Sequence, residues 1–450
     1  MHIVLAVHCF FPDHIYGTET YTLQLAHGLQ AEGHDVTVLS AVFAGEPTAA
    51  EEVTRYEWQG VPVVCCDKNR NPNTRVKDTY YQPSQRALQT RILQELKPDL
   101  LHVTHLVNHT ASLLEAAQTL GIPTIATFTD FFGFCYNNKL EGADGRPCAG
   151  PNRSRSNCLA CHFKAAHTNA AEPWKRRLAQ WPWSRVGATA AGLIARVSQH
   201  GPLAGLVADV AHRPATLATT YATYRLAITP TRLLRDAYLH NGITIPTRDI
   251  RFGVEIDRSP KPSRHAGTPL RLGFIGQIAY HKGPDLLIEA VRGLSPGAVE
   301  LVIYGSHTQD PAYVKRLIAA SAGQHVTFPG TFAPNRMAPI LADLDVLCLP
   351  SRWAENGPLV LLNALATHTP VIVSDMGGMT EFLTPDGQGG YRDGLTFPMG
   401  ELAPLRRIVH DLAANPARIR AMSAHTVYPR TSDDMVQDTL AAYRHAGLPA

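Results

Sequence analysis

Two sets of residues in this chain have types and spacings that could do chemistry. The first lies in Pro350-Ser351-Arg352-Trp353-Ala354-Glu355-Asn356-Gly357-Pro358-Leu359. The short aliphatic run Asp345–Leu349, closed by Pro350, predicts a buried strand. Pro358 opens a helix whose apolar positions continue through Leu365, at a place where its missing amide costs nothing. Asn356 is placed as the N-cap and Gly357 as a flexible approach, which leaves the next amides free to face an anion. A second strand, Val371–Ser374, ends in Asp375-Met376-Gly377-Gly378, a turn where backbone can come close to a ligand. Read this way, amides take phosphate and the Glu355 carboxylate takes hydroxyls, the chemistry of a phosphorylated sugar. An ordinary βαβ unit with one solvated acid has the same outline.

The second set is Cys135, Cys148, Cys158 and Cys161, spaced C-x12-C-x9-C-x2-C. The Gly-, Asp-, Pro- and Asn-rich filler between them predicts a segment that cannot build its own core and needs a staple. Four thiolates with a closing C-x-x-C suit a tetrahedral structural zinc. An iron–sulfur cluster uses the same ligands, and two disulfides are the alternative in an oxidising compartment. Cys9, Cys65, Cys66 and Cys348 stand in apolar strand settings and read as buried thiols.

The elements that position these residues alternate strand and helix, so the chain reads as α/β. Ile3–Val7 runs through Phe11–Glu19 into a helix that Gly33 stops before strand Val36–Ser40, with Gly17 at the turn, where helix amides can meet phosphate. Further strands are expected at Val61–Cys66, Leu100–Thr104, Thr124–Phe128 and Ile250–Phe252, with helices near Arg86–Leu96 and Ser112–Leu120. His102 and His105 stand at the end of one such strand, where open α/β sheets bind ligands, and a structural hydrogen bond is the alternative for each. Ser259–Pro269, rich in proline, reads as a linker. It separates a first domain, 1–257 with a Cys-rich insert at about 131–165, from a second, 258–430. The second domain has strands Leu270–Ile275, Val299–Tyr304 and His325–Phe328, and a last helix at about Asp433–Tyr443 falls in 431–450.

With 450 residues there is room for two or three cores, and a net charge of +3 gives no field that would announce nucleic acid. No apolar run approaches the roughly 20 residues of a membrane span, and the opening residues lack the pattern of a secretion signal, so a cytoplasmic address is expected. Pro173–Arg185 interleaves three tryptophans with four cations. It suits either peripheral contact with a membrane or glycolipid headgroup, or a packing surface with snorkelling cations.

The 345–381 region resembles the nucleotide-sugar site of glycosyltransferase family four, and the resemblance extends over nearly the whole chain. It implies two Rossmann-like, doubly wound parallel-sheet domains facing across a cleft, the first binding the acceptor and the second the donor. The final helix would cross back to the first domain. The family's acid, seven residues, acid signature falls on Glu355 and on Asn363, which would meet the ribose. Its Gly-Arg-x-x-x-x-Lys-Gly falls on Gly276 to Gly283, with Gln277 in place of arginine and Lys282 retained to grip the diphosphate. Its Gly-Gly-Thr-Glu falls on Tyr16-Gly17-Thr18-Glu19, and its His-Asp on Thr129-Asp130. His105 falls beside the transferred sugar, while Gly305-Ser306-His307 and Gly330-Thr331-Phe332 are placed for base and ribose.

The resemblance thus implies a retaining transfer of a hexose from a nucleoside diphosphate sugar to a hydroxyl of a glycan or glycolipid. Catalytic residues would be Glu355, Lys282, His105 and Asp130. Donor contacts would come from Gly17, Gln277, Lys282, Gly305, Asn356, Gly357, Pro358, Leu359 and Asn363, with no catalytic divalent ion. A homologue that binds without turnover and a sugar-nucleotide epimerase share the same scaffold.

Overall fold

Short aliphatic runs alternate with amphipathic helices, and the most aliphatic of them become strands buried on both faces. The computed structural model describes residues 1–43, 51–168, 204–259, 269–295 and 297–448. The tryptophan-rich 173–185 and nearly all of the 259–269 linker lie outside the described residues. The chain divides into two compact units, Met1–Arg251 with Asp433–Ala450, and Phe252–Ser432.

The first unit carries eight strands: β1 (His2–Ala6), β2 (Asp35–Val42), β3 (Val53–Trp58), β4 (Val61–Asp67), β5 (Leu100–Val103), β6 (Thr124–Thr127), β7 (Leu226–Thr229) and β8 (Thr247–Asp249). Their order is β3-β4-β2-β1-β5-β6-β7-β8, parallel except for the β3–β4 pair. The second unit has six strands, all parallel: β9 (Leu270–Ile275), β10 (Val299–Tyr304), β11 (Val326–Gly330), β12 (Val346–Leu349), β13 (Val371–Ser374) and β14 (Gly394–Phe397), ordered β11-β10-β9-β12-β13-β14. Strand order reverses between β1 and β5 in one sheet and between β9 and β12 in the other. Open parallel sheets hold ligands beyond the carboxyl ends of strands at such a reversal. The residues there are His8 and His105 in the first unit, and the loops 276–283 and 350–358 in the second.

Several elements differ from the sequence reading. β3 pairs at the sheet edge, its residues half-buried or exposed and none of them in the core, a strand that its charged residues hide. The last strand of the first unit is Thr247–Asp249, and Ile250 only donates its amide to the Thr229 carbonyl at 3.0 Å. The helix after β12 starts at Leu359 with Pro358 as cap and no side-chain capping bond, so Asn356 is not the N-cap. The residues Gly377–Thr380 form a short helix instead of an open turn.

The final helix, Ser432–His445, packs on the first unit. Tyr443 Oη meets His102 Nδ1 at 2.6 Å, and His102 Nε2 meets Thr127 Oγ1 at 2.8 Å. Burial holds the His102 imidazole down at about 3, so it stays neutral and serves as a structural crosslink. A Cβ on Gly28 would lie 2.3 Å from Val436 Cγ2, so glycine is what lets the helices approach.

The Cys-rich insert has a small core of its own, which the sequence reading does not expect. Cys135 Sγ donates to Asn137 Oδ1 at 3.0 Å, Cys148 Sγ to the Gly150 carbonyl at 3.4 Å and Cys161 Sγ to the Glu141 carbonyl at 3.7 Å. All four cysteines are free, and among the described residues no group of three or more His, Cys, Asp or Glu is placed to hold a metal. Neither zinc, an iron–sulfur cluster nor a disulfide is thus supported among the described residues. Burial pushes the Cys158 and Cys161 thiols up to about 12. The physical reason is that the segment does have a core: helix Ser156–Thr168 sets Cys158 and Leu159 against Val76 and Val210, with Tyr136, Phe163, Leu206 and Val207 around them.

Candidate active site

In the second unit, the loop after β12 turns Glu355 inward, where its carboxylate is 9% exposed. Its Oε1 accepts from Lys282 Nζ at 2.7 Å, Ser351 Oγ at 2.5 Å and Trp353 Nε1 at 2.7 Å. Its Oε2 has no partner among the described residues. Burial pushes the carboxyl up, but the Lys282 charge and the three donors outweigh it and leave it below the usual range. Lys282 also lies 4.7 Å from the centre of the Trp353 ring.

Two glycines make this meeting possible. Gly283 has φ +73°, and a Cβ there would sit 2.1 Å from the Pro350 carbonyl oxygen, so the loop carrying Lys282 can press on the loop carrying Glu355. Gly357 takes φ +64° against Phe382, and its amide donates to the Gly378 carbonyl at 2.9 Å. That amide is therefore not open to a ligand. The helix amides without an intrahelical partner are those of Leu359 and Val360, since Leu361 donates to the Pro358 carbonyl at 2.9 Å. Arg352 is held by Asp285 in two 2.7 Å contacts and stacks on Tyr280, which removes it as a free cation.

The other expected donor residues are placed less tightly. Gln277, after β9, is half-buried with no side-chain partner among the described residues. Gly305 is required by packing: a Cβ there would lie 2.2 Å from the Gly276 carbonyl oxygen. His307, two residues on, has a buried Nε2 without a hydrogen-bond partner. Asn363 is half-buried further along helix Leu359–Ala366, its side-chain amide making no contact among the described residues.

In the first unit, four side chains gather at the β1/β5 reversal. His105 Nε2 meets Asp130 Oδ2 at 2.9 Å, and the Phe132 amide donates to Asp130 Oδ1 at 3.0 Å. The His8 ring lies 4.1 Å from the His105 ring, and His8 Nε2 is 3.4 Å from Glu19 Oε1. Glu19 is wholly buried in the first turn of helix Gly17–Ala31, which begins without a side-chain cap. Gly17 faces open space, with nothing near a Cβ placed on it. Burial lowers His105, but Asp130 and Glu19 raise it further, so it ends above its ordinary value. Thr129 Oγ1 is bonded to the Thr104 carbonyl at 2.8 Å, a link between strand ends.

The structure brings together Lys282 with Glu355, and His105 with Asp130, which the sequence singles out one by one. Sequence reasoning misses Ser351, Trp353, His8 and Glu19 as partners. Ser351 and Trp353 carried a signal, being donors four and two residues before the acid in one loop.

Residues 255–401 match the model described as "Glycosyl transferases group 1", and residues 16–200 match "Glycosyl transferase 4-like domain". This chain belongs to the group 1 glycosyltransferases. A glycogen synthase of Mycobacterium tuberculosis is 31% identical over 176 residues, 38% of this chain and 42% of that protein. A 2-deoxystreptamine N-acetyl-D-glucosaminyltransferase of Streptomyces fradiae is 30% identical over 189 residues, 40% of this chain and 43% of that protein. The matches thus span about two fifths of those curated relatives. Sucrose-phosphate synthase from Thermosynechococcus elongatus has the same fold, with a TM-score of 0.64 at 16% identity over 99% of this chain and 98% of that one. So does Anabaena HepE, solved in complex with UDP-glucose, with a TM-score of 0.59 at 15% identity over 99% and 100%. Among the described residues of this glycosyltransferase, no helix is long and apolar enough to cross a membrane.

Proposed function

We propose that this chain transfers a hexose-type sugar from a nucleoside diphosphate sugar to an acceptor hydroxyl, with retention at the anomeric carbon. The observation that carries the reading is the half-buried Lys282 paired with the buried Glu355, beside the open amides of Leu359 and Val360. An ammonium has three donors, and Glu355 occupies one, so Lys282 can hold the diphosphate while staying anchored. The amides of Leu359 and Val360 add neutral donors and the positive end of a helix dipole. Glu355 offers Oε2 to sugar hydroxyls, Asn363 turns to the ribose, and His307 offers a ring nitrogen to the base.

As the glycosidic bond to the leaving phosphate breaks, Lys282 and the helix amides stabilise the charge that develops on it. Attack from the same face lets that phosphate take the acceptor's proton, so no protein nucleophile is required. The first unit, with His105 and Asp130, binds the acceptor, a glycan or glycolipid hydroxyl. If 173–185 contacts headgroups, the protein works at a membrane surface.

The test is incubation with a panel of UDP-, GDP- and ADP-sugars, with and without polyol acceptors, followed by product detection and NMR of the new anomeric centre. Acceptor-dependent glycoside of unchanged configuration is expected. Tight nucleotide binding without product identifies a non-catalytic homologue. Interconversion of the donor sugar without acceptor identifies an epimerase. An inverted product overturns the same-face step.

A further inference from the structure

The backbone amide of Glu355 has an unusual partner. It donates to Sδ of Met376, the residue that begins the short helix Gly377–Thr380, at 3.2 Å. A thioether is a weak acceptor, and the amide of a buried residue ordinarily finds a carbonyl or a hydroxyl. The sulfur bond and the Gly357 amide on the Gly378 carbonyl at 2.9 Å tie the Glu355 loop to that helix. Met376 is half-buried, whereas Met379, Met422 and Met435 belong to the core.

The two sides of the contact are held with different firmness. The Met376 carbonyl accepts from the Met379 amide at 3.0 Å, the Thr380 amide at 2.9 Å and Thr380 Oγ1 at 3.0 Å. The Asp375 amide donates to the Phe397 carbonyl at 2.8 Å, which fixes the chain before Met376 to β14. Across the contact, residues 354–358 have no regular secondary structure, and Gly357 among them takes φ +64°. That irregular stretch carries the Glu355 carboxylate, whose Oε1 collects Lys282, Ser351 and Trp353. A change in size at the sulfur is therefore taken up on the Glu355 side.

Such a change has a ready chemistry. Sulfur has two lone pairs, and the amide takes one, which leaves the other to attack a hydroperoxide. The sulfur–oxygen bond forms as the O–O bond breaks, and the hydroxyl proton passes to the leaving oxygen. A sulfoxide and water result, with sulfur oxidised by two electrons and the peroxide reduced by two. A dithiol-dependent methionine sulfoxide reductase reverses the step, the oxygen leaving as water and the dithiol closing to a disulfide. An oxygen cannot stand between a nitrogen and a sulfur 3.2 Å apart, because N–H···O alone takes about 2.7–3.2 Å. The bond must open, or be remade from a displaced loop.

We propose that Met376 is a modification site, a methionine whose reversible sulfoxidation releases the Glu355 loop and so governs where the carboxylate of the site stands. Met376 acts through Glu355, as its positioning residue. The oxidation and the loop release rest on this geometry alone. The response of transfer rests on the reading of Glu355 as the carboxylate that meets the sugar.

The test treats wild-type protein and Met376→Leu with hydrogen peroxide and follows each methionine by peptide mass spectrometry. Met376 should gain an oxygen ahead of Met379, Met422 and Met435. Hydrogen exchange of the Glu355 amide should then quicken by about fivefold, the worth of one neutral hydrogen bond, and slow again after the reductase and a dithiol are added. Met376→Leu keeps the bulk without the sulfur, so its exchange should be fast from the start and unmoved by peroxide. It also serves as the control for oxidised cysteines. Sulfoxidation of Met376 with unchanged exchange at Glu355 overturns the proposal, as does oxidation of Met379 ahead of Met376. So does further quickening of Met376→Leu under peroxide, since another residue would then be moving the loop. If the donor panel shows transfer, the oxidised wild type should lose at least about fivefold in rate, with affinity for UDP, GDP and ADP within about twofold. An equal loss in nucleotide affinity would place the effect on the Leu359 and Val360 amides and overturn the role given to Glu355. Failure of the panel removes the transfer reading and leaves the exchange measurement to decide this one.

Discussion

Glu355 concentrates three donors on one oxygen, and this sets what its neighbours can do. Lys282→Ala should lower transfer below detection and also cost about 1–3 kcal/mol of stability, because a buried carboxylate loses its cation. Adding Glu355→Gln to Lys282→Ala should restore much of the melting temperature and none of the transfer. A double variant no more stable than the single one would show that the pair is not coupled. Glu355→Gln alone frees Lys282, so affinity for a bare nucleoside diphosphate should hold or rise while transfer falls. Asn363→Ala should weaken the same ligand by about 1 kcal/mol, one neutral hydrogen bond. Calorimetry on both variants decides this, and a larger loss in Glu355→Gln would reverse the two roles.

Among the elements, the loops carry the function and the glycines carry the loops. Gly283→Ala should cost about 1–3 kcal/mol and weaken nucleotide binding together, since positive φ and the Pro350 carbonyl both oppose a methyl group. Unchanged nucleotide affinity in that variant would separate the loop from the site. The Cys-rich insert gives a second check. Chelator should leave the melting temperature unmoved, whereas Leu159→Ala should cost about 2–5 kcal/mol as a buried leucine does. A chelator-dependent drop would restore a metal. Elements such as these explain what the sequence made legible. Aliphatic strands β5, β6, β12 and β13 announce themselves by composition, because burial on both faces leaves no polar alternation to confuse them. β3 does not, since an edge strand of Thr, Arg, Tyr and Glu owes its place to β4 rather than to its own residues. The insert misled because Leu159 looks like filler until the distant Val210 arrives to cover it. His8 and Glu19, eleven residues apart in the sequence, meet only when β1 and the following helix fold together.

For the whole molecule, buried histidines set the response to acid. His102 sits at about 3, His109 at about 4, and His8 well below its ordinary value, each lowered first by burial. A histidine depressed in the folded state is protonated first in the unfolded chain, so its stabilisation is present above about pH 6.5 and lost as pH falls. Each contributes a slope of about 1.4 kcal/mol per pH unit. Glu19 and Asp393, both raised mainly by burial, offset part of this in the lower half of the window. His105, raised, acts in the opposite sense and loses its contribution as pH rises through its folded value. Glu355 and Asp285, both depressed, do not begin to lose theirs until below about pH 4.5. Urea unfolding at pH 7, 6 and 5 should therefore show a steady decline. A flat profile over that range would mean that these rings are not protected when folded.

The path of the chain also orders its assembly in time. It leaves the first unit at Arg251 and rejoins it at Asp433, while the ends of the second unit are tied by the Tyr428 hydroxyl on the Phe252 carbonyl and the Val254 amide on the Arg430 carbonyl. The second unit is thus nested within the first, like a clause in parentheses. On the ribosome, β1 is made before β2 to β14, but the Tyr443 that seals His102 emerges after all of the second sheet. The half that is begun first is therefore completed last, and a nascent chain halted anywhere before residue 432 lacks the helix that covers Gly28 and His102.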